Sequence, residues 1–135
     1  MKKLIHNAVC VLFTMVALFF LTDSALAQDA AKVDPDHYNV EFENDQVRII
    51  RITYAPGEKS VMHEHPDGVV VFLAGGGETT MHLPDGTSVT TTSEKGEASW
   101  APAGKHLPEN TGDKPVEAIL IELKGHSTLA IKEAD

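Results

Sequence analysis

From Tyr38 onward the chain alternates short runs of apolar and β-branched residues with clusters of turn formers. No stretch keeps the three-to-four-residue apolar spacing that an amphipathic helix needs. The pattern predicts strands over residues 38–43, 46–54, 60–65, 69–74, 79–83, 87–92, 97–101 and 116–123, with a last one over 127–131 before an acidic end. Asn44-Asp45, Ala55-Pro56-Gly57, Pro66-Asp67-Gly68, Gly75-Gly76-Gly77, Pro84-Asp85-Gly86 and Lys95-Gly96 supply the reversals between them, each a residue combination that favours a turn over continued pairing. Val47, Ile49, Ile50, Ile52 and Tyr54 alternate incompletely, as in a strand covered on both faces, whereas the threonine-rich segment 87–92 suits an exposed one. Val71, Phe72, Leu120, Ile121, Met62 and Met81 are candidate packing residues. Trp100, just before Pro102, is expected to be a core aromatic that fixes the approach of the following turn. Many short strands at this spacing predict an all-β sandwich or barrel.

The N-terminus has a different character. Lys2 and Lys3 precede an apolar run over residues 8–21 and then Ala25-Leu26-Ala27, the layout of a secretory signal peptide cleaved before Gln28. The run is short for a membrane span. The expectation is therefore export to the periplasm or beyond, with no membrane attachment after cleavage. Residues 28–37 are small, charged and aperiodic and read as a flexible lead into one domain over 38–135. Cys10, the only cysteine, lies in the expected signal, so disulfides and thiolate chemistry are excluded from the mature domain. Eleven basic against 20 acidic residues give a net charge of −9, which repels nucleic acid and otherwise solubilises an exported protein.

The histidines change the picture most. In a strand successive side chains point to opposite faces, so His63 and His65 share one face while Glu64 looks away. If a second strand brings His106 opposite them, three neutral nitrogen donors surround a cavity suited to a divalent first-row metal. The plain alternative is a pair of surface histidines on an edge strand. His82 reads as an ordinary strand residue, His37 and His126 have no spacing partner, Asn110 reads as a loop residue bonding backbone, and Glu109 reaches the cavity only if its loop folds inward.

Gly57, followed after five residues by His63-Glu64-His65 and closed by Gly76 or Gly77, resembles the first motif of the cupin superfamily. Gly96, followed after five residues by Pro102-Ala103-Gly104 and then by His106 and Asn110, resembles the second. The resemblance implies an antiparallel double-stranded β-helix, the jelly-roll cupin barrel, with a site inside its mouth. It also implies a divalent transition metal (Fe, Mn, Ni, Cu or Zn) held by His63, His65 and His106, and a homodimer formed by sheet packing. Two departures stand out. Cupins usually add a glutamate ligand, but Val69 or Val70 occupies its place. Only Lys105 separates Gly104 from His106 where two residues are usual, and that shortening either is absorbed by the turn or aims His106 elsewhere.

Three histidines without a carboxylate would leave coordination positions for water, dioxygen or a chelating substrate, an arrangement that some oxygen-using cupins share. The first expectation is a dioxygenase-like oxidoreductase acting on a small organic molecule. The second is a non-catalytic module that holds a small ligand or metal ion in an eroded site. A metal-dependent isomerase or epimerase ranks third, for want of an obvious carboxylate base.

Overall fold

The computed structural model describes residues 28–75 and 77–125. The expected signal peptide, Cys10, Gly76, His126 and the expected strand over 127–131 lie outside the described residues. A short helix, α1 (Ala30–Val33), precedes β1 (Tyr38–Glu43), β2 (Val47–Tyr54), β3 (His63–His65), β4 (Gly68–Phe72), β5 (Gly77–His82), β6 (Ser88–Ser93), β7 (Ala98–Ala101), β8 (Gly104–Asn110) and β9 (Val116–Leu123). The strands form a five-stranded sheet in the order β1-β2-β9-β4-β7 and a four-stranded sheet in the order β3-β8-β5-β6. Among the described residues every strand pairing is antiparallel, and the chain changes sheet at nearly every connection after β2. The expected jelly roll is the fold that forms.

Local chemistry explains the reversals. Between β1 and β2 the Asn44 side chain accepts bonds from the backbone of Gln46 and Val47, both at 2.8 Å. Between β5 and β6 Asp85 does the same for Thr87 at 2.9 Å. Each is the local bond by which Asn and Asp stabilise a turn. Gly68 is required for a different reason. A Cβ there would lie 2.5 Å from the Ile121 carbonyl oxygen, so any side chain would force β4 away from β9.

The core lies between the sheets. Along β9 the inward positions Val116, Ala118, Leu120 and Glu122 are all buried, and Leu120 packs with Tyr38, Ile50, Tyr54 and Val116, flanked by Ile52, Val70 and Phe72. Burying a side chain such as Ile50 contributes about 1.5–3 kcal/mol. Glu122 continues the same inward phase with a carboxylate only 2 % exposed. Arg48 Nε donates to its Oε2 at 2.6 Å, while Arg48 Nη1 reaches Asp29 Oδ2 at 2.6 Å. Both carboxylates hold the guanidinium pKa above its ordinary value, outweighing the opposite effect of burial. Glu122 Oε1 is buried without a partner.

Three expectations need correction. Segment 28–37 is not a free lead: Asp29 caps α1 by accepting from Ala31 N at 3.0 Å, Ala30 is fully buried, and Asp29 bridges Glu64 of β3. Its small, aperiodic residues are what a segment wedged against a sheet edge requires. Trp100 is not a core aromatic. It sits 56 % exposed on the outer face, because the strand parity that turns Ala101 inward turns Trp100 out. Residues 104–110, which no predicted strand range covers and whose Glu109 and Asn110 are expected in a loop, form β8 despite Pro108, whose carbonyl accepts from Ser60 N at 2.9 Å.

Arg48→Ala is expected to leave the buried Glu122 carboxylate uncompensated and to lower stability by about 3–5 kcal/mol. Arg48→Lys should recover only part of this, since one ammonium does not match the planar fork that spans both carboxylates. Urea unfolding followed by circular dichroism measures both.

Candidate functional site

Strand β3 is three residues long, and its pairing with the start of β8 builds the site. His63 lies opposite His106, Glu64 opposite Lys105 and His65 opposite Gly104. Directly opposed residues share a face, so His63 and His106 both point into the barrel and His65 joins them two positions on. The His106 ring centroid lies 5.0 Å from that of His63 and 4.9 Å from that of His65, with the rings crossed edge to face. His63 and His65 are buried and Glu64 is exposed. The motif glycines serve the turns that deliver these strands: Gly57 and Gly96 adopt φ of 80° and 83°, a region other residues rarely enter. The turn before His106 absorbs its missing residue, with Ala103 N donating to Asp67 Oδ1 at 2.8 Å.

Backbone carbonyls fix two of the rings. His63 Nδ1 lies 2.9 Å from the Val61 oxygen, and His65 Nδ1 lies 2.7 Å from that of Pro66. A carbonyl only accepts, so each Nδ1 carries a proton and Nε2 is the ring nitrogen left for another partner. Burial pulls the pKa of His63 below the ordinary histidine value, against the opposing pull of the Val61 carbonyl. His106 is lowered to about 4, by burial first and then by His65 and His63. Neutral imidazoles with free Nε2 atoms are the donor chemistry a borderline transition-metal dication takes. Among the described residues, no three His, Cys, Asp or Glu side chains form a ready metal-binding group, so the rings would have to turn to bring three nitrogens to one point.

Val70 projects inward against the core at the place where a glutamate was looked for, while Val69 lies on the outer face opposite Trp100. Glu109 does not reach the cavity. Its β8 position alternates with inward Pro108 and Asn110, and its Oε2 bonds His82 Nε2 at 2.7 Å and Lys59 Nζ at 3.1 Å, which accounts for its lowered pKa. Asn110 ends β8, fully buried, and its Nδ2 donates to the backbone oxygens of Lys114 at 2.8 Å and Tyr54 at 3.2 Å.

Sequence reasoning missed the groups behind His63. The Tyr38 ring meets it edge on at 4.8 Å, and Tyr54 Oη donates to Tyr38 Oη at 2.7 Å. Burial raises the pKa of both phenols, Tyr54 to about 12. Ser60 Oγ lies 3.4 Å from His63 Nδ1 and donates to Asp34 Oδ2 at 2.5 Å, and His37 Nδ1 donates to Asp34 Oδ1 at 2.8 Å. No spacing motif marks Asp34 or Ser60. Glu122 was legible, since the alternation of 116–123 already places it inward.

The sequence matches no protein-family model and no curated protein. Solved structures do resemble it. A cupin domain from Bordetella pertussis Tohama I is 29 % identical with a TM-score of 0.60, over 65 % of this chain and 92 % of that one. A double-stranded β-helix protein from Klebsiella pneumoniae is 21 % identical with a TM-score of 0.51, over 64 % and 75 %. An RmlC-like cupin family protein from Methanocaldococcus jannaschii is 19 % identical with a TM-score of 0.50, over 67 % and 83 %. The latter two likenesses bear on the fold alone. The two glycine-bounded histidine segments paired at the start of β8 and this likeness to a solved cupin domain both support the cupin superfamily, whose double-stranded β-helix this chain adopts.

Proposed function

We propose that the protein is an exported, metal-binding cupin that acts as a dioxygenase-like oxidoreductase on a small organic molecule. The observation that carries this reading is the gathering of His63, His65 and His106 on one inward face, two of them with Nδ1 bonded to backbone carbonyls. A bound iron, manganese, nickel, copper or zinc ion would supply Lewis acidity and a template for substrate and, where redox-active, for dioxygen. The chain's own part is to orient the imidazoles through the Val61 and Pro66 carbonyls and to keep His63 and His106 neutral by burial. Export rests on the leader-like residues 1–27.

A second reading, the non-catalytic ligand- or metal-binding module, draws support from Val70 at the glutamate place and from the need for the rings to turn. An isomerase or epimerase has less support, because the nearby carboxylates of Glu109 and Glu122 are engaged by His82, Lys59 and Arg48. For the quaternary state we propose a homodimer through the outer face of the five-stranded sheet. There Phe42, Ile49, Ile121, Val69 and Trp100 lie opposite one another in an apolar row across all five strands, with Phe42 50 % and Trp100 56 % exposed at its ends.

Elemental analysis of the tag-free mature protein, beside His63→Ala/His65→Ala, tests the metal reading. Near-stoichiometric metal is expected in the wild type and a loss of at least tenfold in the variant, with oxygen uptake in a substrate screen separating the enzyme from the module. Metal-free wild type that takes up no ion on reconstitution would overturn both metal-dependent readings.

Metal-free protein should also lose stability on acidification. The folded pKa of His106 is below the ordinary 6.5, so as pH falls from about 6.5 towards 4 the unfolded state binds the proton first and is favoured. Melting temperatures in the presence of chelator should fall over this window more steeply for wild type than for His106→Ala. Light scattering at micromolar concentration should show a dimer that Trp100→Glu converts to monomer.

A further inference from the structure

The hydrogen-bonded chain behind His63 begins in the N-terminal segment, outside both histidine motifs. We infer that Asp34, acting through Ser60, is a positioning residue for His63. It sets the ring's orientation from behind and places a carboxylate one residue beyond the site. The inference rests on the proposed metal reading only for its effect on metal affinity; its effect on the His63 ring does not need a metal.

The geometry fixes the direction of each bond. Ser60 donates its hydroxyl proton to Asp34 Oδ2 at 2.5 Å, because a carboxylate accepts. That leaves the Ser60 oxygen lone pairs turned toward His63 Nδ1, 3.4 Å away, as a second acceptor beside the Val61 carbonyl at 2.9 Å. A serine held in this way cannot donate to Nδ1, which disfavours the other tautomer and keeps the Nε2 lone pair on the barrel side. Asp34 is itself held: His37 Nδ1 donates to it at 2.8 Å, and its backbone carbonyl accepts from Tyr38 N at 3.1 Å. His37 stacks on Tyr54 with ring centroids 4.5 Å apart, and Ser60 N is anchored to the Pro108 carbonyl. Ser60 and Asp34 are 6 % and 9 % exposed, so solvent hardly weakens the arrangement.

The placement also has an electrostatic consequence. Three neutral imidazoles bring no charge to a dication, and Val70 brings none either. The Asp34 carboxylate lies one hydroxyl away from His63 Nδ1, bonded to Ser60 Oγ, which itself sits 3.4 Å from the ring nitrogen. A carboxylate that favours a proton on a ring favours a metal ion on it in the same way.

The test compares wild type with Asp34→Asn, Ser60→Ala and Ser60→Thr in the mature protein. Imidazole 15N chemical shifts, recorded without metal, read the His63 tautomer and environment directly, and Co2+ titration followed by visible absorption reads affinity and ligand field. Wild type is expected to show His63 wholly in the Nδ1–H form. Asp34→Asn and Ser60→Ala should shift its nitrogens and weaken Co2+ by about 10–100-fold with the sheet circular dichroism kept, and Ser60→Thr, which retains the hydroxyl, should restore both. His63 shifts and Co2+ affinity unchanged in Asp34→Asn and Ser60→Ala would overturn the inference and leave the pair a packing contact. Should wild type bind no Co2+, the metal reading fails, and the 15N shifts alone decide the inference.

Discussion

The register of β3 against β8 is the constraint on which the rest of the site depends. Three residue pairs carry it, and because side chains alternate, a slip by one residue would turn His63 and His65 to solvent and put Glu64 inside. So short a ladder would not hold its register unaided. Its surroundings hold it: Glu64 N donates to the Gln28 carbonyl on the far side of β3, and Ser60 N donates to Pro108 just before it. Lys59 bridges Glu109, and Gly57 N reaches the Asn110 carbonyl. The burial of two imidazole rings against the exposure of one carboxylate then favours the observed register over its neighbours, since a buried unpaired carboxylate is the costlier outcome.

The same segment that closes the outer edge of β3 also settles the charges inside the barrel. Asp29 caps α1 through one oxygen and meets Arg48 through the other, and Arg48 compensates the buried Glu122. Asp34, one turn later, serves Ser60 and His37. Helix α1 is too short to be stable by itself. Its stability comes from the fully buried Ala30 and from these side-chain bonds, so the segment and the barrel interior hold each other in place.

How far the sequence discloses this depends on whether a signal is local. Strands β1 and β9 are legible to the residue, because alternation and flanking turns are properties of neighbours in the chain. Strand β8 is obscured by Pro108, which lacks a donor and reads as a break; what it does supply is an acceptor, to Ser60. Trp100 is misjudged because apolar character alone does not say which side of a strand faces the core, a choice fixed by the parity that Ala101 shares with Val70. The histidine triad is legible because motif spacing encodes a pairing between distant strands. Asp34 and Ser60 are not, since their contact with His63 depends on where a short helix ends.

The missing glutamate becomes intelligible in these terms. In a barrel with a carboxylate ligand, the site's negative charge would sit on β4 at the position of Val70. Here that position is hydrocarbon, and the carboxylate that reaches His63 comes from the N-terminal segment, Asp34 acting through Ser60 on the Nδ1 side of the ring. A carboxylate in the cavity would be a ligand and a base, competing with any anionic substrate for the same coordination positions. Placed behind the ring, on the side of Ser60, a carboxylate would still favour a cation at Nε2 without occupying a coordination position. Were a metal held by the three imidazoles, as proposed, the arrangement would separate charge compensation from ligation and would suit a ligand that brings its own oxygen donors.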